Sequence, residues 1–357
     1  MPNIISTSKI DFEYVLKQEK TKEFAKKLFA ETYSNIDKLM DVFDNTTIKT
    51  RNLSVPVDFF DSDKTFKYKN DIFIKTALEK SIESINICLD KAKIKKEDIT
   101  DIIFISTTGL ATPSLDALII NKMHLNPYIN RLPIWGLGCA GGVSGIAKAD
   151  IFARANPNAV VLVVAVELCS LTFIRNDLSK SNFIATSLFS DGIASCIVTG
   201  DKSGQRYNTD GKKNVQIISS QSRLYYDALD VMGWTFTDNG FKVLFSKDIP
   251  TIVNQNVKKD IEIFLEANNL SIPDIKNFIF HPGGAKVIKA YEEALNINGK
   301  SLDNTKFILE HYGNMSSVTV LYVLDKFLED GFEDGYGLLL SLGPGFSSEM
   351  VLISMSN

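Results

Sequence analysis

Two stretches of this chain read alike when laid 176 residues apart. "DITDIIF" from Asp98 parallels "DIKNFIF" from Asp274, and "VVLVVAVE" from Val160 parallels "YGLLLSLG" from Tyr336. Between them, a "GC" pair at Cys139 corresponds to a "GN" pair at Asn314, 175 residues on. Three anchors in one order at nearly one spacing imply a duplication. Each copy alternates apolar runs with stretches of helical periodicity, the pattern of strand–helix units. The expected architecture is α/β: two related halves, 1–205 and 206–357, packed into one layered unit. A turn-rich, charged segment, "DKSGQRYNTDGKKN" (201–214), separates them. The stretch before residue 70 reads as polar and mainly helical.

With 357 residues, 45% of them hydrophobic, the chain is long enough to bury a large core. A net charge of −4 gives no electrostatic reason to expect nucleic acid as a partner. The N-terminal stretch lacks a basic segment followed by a long apolar run, and no stretch approaches about 18 uninterrupted apolar residues. Neither a signal peptide nor a membrane span is expected. Cys88, Cys139, Cys169 and Cys196 lack C-x-x-C spacing and sit in apolar surroundings, so neither a disulfide framework nor a metal site is suggested. The reading is of a reduced, cytoplasmic protein.

"PIWGLGCAGGVSGIAKA" (133–149) sets Cys139 between two glycines on each side, where a strand turns into a helix. Such a corner exposes the side chain and lets a substrate approach the backbone. A helix N-terminus there favours thiolate over thiol. The Asn314 corner is read as its counterpart, a strand ending in Gly followed by a polar residue that opens a helix. A thiolate nucleophile needs a basic partner, and the chain has three histidines. His124, in "NKMHLNPY", falls among turn residues. His311 precedes the Asn314 corner as either a strand or a supporting residue. His281 stands at the end of "NFIF", before "PGG", at the strand-end position where α/β sites form. Cys139, His281 and Asn314 are therefore expected to converge where the halves meet.

The motifs "WGLGCAGG" (135–142), "HPGG" (281–284), "YGNMSS" (312–317) and "LGPGFSSE" (342–349) resemble those of the thiolase-fold condensing enzymes, and among them the chalcone synthase-like type III polyketide synthases. The resemblance runs from about Lys17 to the end of the chain. "ELCSLTF", "SNFIATSLFSDG" and "DVMGWTFTDNGFKVLFSKDIP" look most like bacterial alkylpyrone synthases. It implies a thiolase-like αβαβα fold and a homodimer. Cys139 matches the acylated nucleophile, and His281 and Asn314 match the pair that promotes decarboxylation and holds the oxyanion. Phe189 matches one of two gatekeeping phenylalanines. The second falls on Val243, a departure expected to widen the passage for a bulky or long starter. Thr112 matches a position that reaches into the partner subunit's cavity. Cys169, Thr172 and Trp234 match cavity positions, with the Gly343–Pro344–Gly345 loop beside them. Lys49, Gly283, Gly284 and Ala285 match the coenzyme A side.

The implied chemistry is loading of a fatty acyl-CoA on Cys139, paired with His281 as thiolate and imidazolium so that the cysteine pKa falls. Decarboxylative condensation with malonyl-CoA follows, and closure to an alkylpyrone or alkylresorcinol. It calls for no metal or redox cofactor. The nearest rival is a ketoacyl-ACP synthase III-like enzyme performing one condensation. A non-catalytic acyl-CoA-binding protein on the same scaffold is the rival from another class.

Overall fold

The apolar runs singled out above become strands covered on both faces, which is why they read as continuous rather than alternating. The computed structural model describes residues 1–207, 213–246 and 249–357. Its strands are β1 (Asn3–Lys9), β2 (Tyr14–Lys17), β3 (Thr50–Leu53), β4 (Asp101–Ile105), β5 (Asn130–Ile134), β6 (Val160–Leu168) and β7 (Asp191–Thr199). They continue as β8 (Asn214–Leu224), β9 (Met232–Thr237), β10 (Gly240–Phe245), β11 (Ile275–Phe280), β12 (Gly335–Gly343) and β13 (Ser347–Ser356). Nine of them form one mixed sheet in the order β11-β12-β13-β8-β1-β7-β6-β4-β5, while β2–β3 and β9–β10 are separate pairs.

The duplication is visible in the pairing. β4 runs parallel to β6, which runs antiparallel to β7; β11 runs parallel to β12, which runs antiparallel to β13. Side-chain alternation then sorts the core into layers. Ile102 and Phe104 face the helices Phe66–Ala92 and Leu115–Met123. Phe278 and Phe280 face the helices Lys258–Glu266 and Ala285–Leu295. Their neighbours Ile103, Ile105 and Ile279 all meet in one middle cluster with Val143, Ile146, Val320 and Leu324, from the helices Gly141–Ala155 and Thr319–Asp330. The succession is helix, sheet, helix, sheet, helix, the αβαβα arrangement expected. Full burial of each such Ile, Val or Leu stabilises by about 1.5–3 kcal/mol.

Three local readings are corrected. The stretch before residue 70 contains β1, β2 and β3 as well as helices. β1, "NIISTSK", escaped notice because its hydroxyls look exposed; buried, they bond instead to partners far along the chain. Ser6 Oγ donates to Cys88 O at 2.9 Å, Ser8 Oγ to Ser84 O at 2.8 Å and Thr7 Oγ1 to Asp325 Oδ1 at 2.6 Å. The charged mid-chain segment begins with a helix, Asp201–Tyr207, so the boundary read at 205 falls inside it; 208–212 lie outside the described residues. Finally, the Asn314 corner follows a helix, Asp303–Tyr312, and not a strand. Its buried Thr305, Ile308 and Leu309 carry the helical spacing.

Candidate active site

Cys139 occupies the single turn Gly138–Ala140 that leads into the helix Gly141–Ala155. The turn is tight for steric reasons. Gly138 has φ +47°, and a Cβ there would lie 2.7 Å from Pro344. A Cβ on Gly343 would lie 2.4 Å from Leu137 O and 2.6 Å from Ala140 Cβ. The Gly343–Pro344–Gly345 loop thus packs directly on the cysteine corner, which is what ties a C-terminal motif to an N-terminal one. Cys139 itself is half-buried, and its Sγ donates towards Ser316 Oγ at 3.7 Å.

Ser316 leads to the other two residues. Its backbone N–H donates to Asn314 Oδ1 at 2.8 Å, and Asn314 Nδ2 donates to Gly283 O at 2.9 Å, two residues past His281. Asn314 is further fixed by a backbone bridge to Phe189: its N–H donates to Leu188 O and its carbonyl accepts from Ser190 N–H, both at 2.9 Å. His281 closes β11, its N–H donating to Leu340 O at 2.8 Å. The ring is buried, and neither nitrogen has a hydrogen-bond partner among the described residues. Gly283 and Gly284 form the turn after it, and Ala285 opens the helix Ala285–Leu295. His311 is half-buried at the end of its helix, stacked on Phe307 at 4.1 Å, and His124 caps the helix Leu115–Met123. Neither belongs to this cluster.

The electrostatics differ from the sequence expectation. Burial pushes the Cys139 thiol up to about 12, with the Glu167 carboxylate adding to the rise, and burial pushes His281 down to about 3. Burial thus opposes the lowered thiol pKa expected from the sequence. Withdrawal from water favours both neutral forms, and Cys139 is bonded to Ser316 rather than to the imidazole.

Glu167 is a functional neighbour that the sequence reading passed over. It is a lone charge inside the run "AVVLVVAVEL", a signal available without a structure. Fully buried, it accepts from Thr107 N–H at 3.0 Å, Thr108 Oγ1 at 2.9 Å and Ser317 Oγ at 2.6 Å, so it ties β6 to the segment after Asn314. Burial raises its carboxyl from 4.5 to about 7, its hydrogen bonds opposing the rise. The folded state thus holds this proton more tightly than the unfolded chain. The resulting stability is fully present below 4.5 and is lost as pH rises through 7, about 3 kcal/mol in all. Glu167→Gln lacks that titration. Urea unfolding at about pH 4.5 and about pH 8 should show the variant gaining about 3 kcal/mol on wild type between them. An equal difference at both pH values removes Glu167 from that window.

Against Phe189, whose backbone bridges to Asn314, lies an apolar pocket open towards solvent. Thr172, Phe189, Trp234 and Val243 line it, with Phe24, Leu53, Phe60 and Phe173. Thr172 Oγ1 donates to Cys169 O at 2.7 Å, and Cys169 lies within electrostatic reach of Cys139. Arg51, buried with no carboxylate partner among the described residues, holds the last carbonyls of the helix Lys180–Leu188 and that of Phe189. Position 243 is small, as read, but Phe245 two residues on stacks on Phe189 at 5.5 Å, so the passage keeps an aromatic pair. Thr112 is exposed outside the pocket, and Lys49 is exposed and ion-paired with Glu310.

A cysteine on a glycine corner, linked through Ser316 to a buried Asn whose amide reaches the carbonyl of Gly283 just beyond a buried His, on a duplicated α/β fold, points to a condensing enzyme of the thiolase-like class. Family models described as "Chalcone and stilbene synthases, N-terminal domain" and "C-terminal domain" match residues 4–202 and 216–356. The protein belongs to this family, as a bacterial-type, chalcone synthase-like type III polyketide synthase, a decarboxylating condensing acyltransferase. It is 44% identical over 348 residues to a Bacillus subtilis (strain 168) protein named "Putative chalcone synthase", covering 96% of this chain and 95% of that one. It is 33% identical over 308 residues to the 1,3,6,8-tetrahydroxynaphthalene synthase of Streptomyces peucetius subsp. caesius, covering 86% and 80%. The crystal structure of 1,3,6,8-tetrahydroxynaphthalene synthase from Streptomyces coelicolor A3(2) superposes with TM-score 0.93 at 27% identity, covering 99% of both chains. Among the described residues, no helix is long and apolar enough to cross a membrane.

Proposed function

We propose that this synthase loads a long-chain fatty acyl-CoA on Cys139 and extends it with malonyl-CoA, giving alkylpyrones or alkylresorcinols. The observation that carries the reading is the apolar pocket lined by Thr172, Phe189 and Val243, whose wall is tied to Cys169 near the nucleophile. An alkyl chain is the substituent that such a wall favours, at about 0.8 kcal/mol per buried methylene.

In this mechanism Cys139 attacks the acyl thioester and its proton passes to His281 during the attack, burial favouring the neutral form of each group beforehand. His281 passes that proton on to the departing sulfur, so coenzyme A leaves as its thiol, and backbone N–H groups of the corner hold the tetrahedral oxyanion. Malonyl-CoA then enters along Lys49, Gly283, Gly284 and Ala285. His281 and Asn314 Nδ2 donate to its thioester oxygen as carbon dioxide departs, so the enolate forms against fixed donors. The enolate carbon attacks the acyl group on Cys139, and the thiolate is released. The Gly343–Pro344–Gly345 loop, packed on the corner, bounds the space for cyclisation. In this reading 1–205 carries the nucleophile and 206–357 the donors, and the protein works as a cytoplasmic homodimer, with Thr112 at the partner's cavity.

Mass spectrometry of products from malonyl-CoA and acyl-CoAs of increasing chain length tests this. Triketide or tetraketide pyrones or resorcinols are expected. A single-extension β-ketoacyl product, formed only with acyl carrier protein, makes it an initiation enzyme instead. Val243→Phe fills the pocket wall and should lower kcat/KM for long acyl-CoA about tenfold or more while sparing short ones, about 1–3 kcal/mol of apolar fit being at stake. An equal loss for both lengths detaches the pocket from the starter.

A further inference from the structure

β9 and β10 form a hairpin outside the main sheet, and its register sets Val243 opposite Trp234 and Phe245 opposite Met232. Residues 243 and 245 share a face of β10, because side chains alternate. Phe189 lies against that face. Its ring stacks on Phe245 at 5.5 Å with 29° between planes, and meets Trp234 at 6.2 Å and 42°. The backbone of Phe189 is fixed by Arg51 and by the bridge to Asn314, so its ring alone is free to move. Phe189, Trp234 and Val243 line the pocket, whereas Phe245 does not; it backs the Phe189 ring.

We propose that Phe245 is a positioning residue for starter selection: it holds the Phe189 ring between itself and Trp234, over the hollow left by Val243, and so sets the width of the passage between the pocket and the catalytic corner. This rests on the acyl-CoA reading above. Phe245 touches no reacting atom, and its influence passes through Phe189. Without the stack, the Phe189 ring turns out of the hollow and branched or aromatic starters gain on straight chains.

The test compares kcat/KM for a straight-chain and a branched acyl-CoA in wild type, Phe245→Ala, Phe245→Leu and Phe245→Tyr, with melting curves for each. The branched-to-straight ratio should rise about three- to tenfold in the Ala variant, the range set by the strength of one aromatic pair. The change should lie in KM more than in kcat. Tyr should restore the wild-type ratio, because it keeps the ring, and Leu should not. If Ala fails to fold, the Leu–Tyr comparison decides alone. An unchanged ratio in a folded Ala variant, or Leu matching Tyr, overturns the proposal. A wild type that turns over no acyl-CoA overturns the functional reading and this inference together; an active wild type with an unmoved ratio overturns this inference only.

Discussion

Cys139→Ala should abolish product formation, with turnover falling at least about 10⁴-fold, because a synthase that parks its chain on a thiol has no substitute for it. Intact-mass spectrometry after incubation with acyl-CoA should show the acyl adduct on wild type and none on the variant. The fold should survive. Cys139 is half-buried, and its hydrogen bond to Ser316 is long at 3.7 Å, so stability should change by no more than about 1 kcal/mol. The pairing of lost adduct with unchanged melting separates a nucleophile from a small core residue. Product formation by the Ala variant at near wild-type rate would sink the mechanism and leave a binding protein on this scaffold.

Asn314→Asp is the second large effect, and it probes the other half. Oδ1 of the new carboxylate still accepts from Ser316 N–H, so the local turn keeps its 2.8 Å bond. The second oxygen replaces Nδ2, which now donates to Gly283 O at 2.9 Å, and sets two acceptors against each other. More importantly, in the mechanism proposed above a donor to the developing enolate becomes a like charge. Loss of one such donor costs about 10²–10³ in rate. Carbon dioxide release from malonyl-CoA should fall by that factor, while acylation of Cys139, which does not use this donor, should continue. Decarboxylation at wild-type rate with Asp in place would remove Asn314 from that step.

The cysteine corner was legible because its requirements are local: glycines where φ is positive or backbone must come close, and a helix beginning immediately after. The duplication was legible for the same reason, since two of its three anchors are single buried strands. Other features needed contacts between distant segments. The helix before Asn314 was read as a strand because the repeat invited a symmetric corner, although Ile308 and Leu309 carried helical spacing. That Phe245, on the same strand face as Val243, reaches Phe189 is a contact that position-by-position matching cannot see. Residue identity suggested a partner for the thiol, whereas its burial and the nearby Glu167, both of which raise its pKa, come from the fold. Glu167 was visible as a lone acid in an apolar run, but its tie to Ser317 crosses 150 residues.

The position of β1 has a consequence for how the two halves can exist at all. It pairs with β7 on one side and meets β8 on the other, with Asn3 opposite both Thr199 and Gln216. One short strand is thus the seam between two duplicated units. Whichever half is separated from it is left with an unpaired strand edge, a template for joining foreign chains. Closing the seam also requires residues nearly 200 positions apart to find each other, a slow search on entropic grounds. The repeat is therefore joined into one folding unit: a copy detached from the other exposes the edge that β1 covers, even though each retains its own helices.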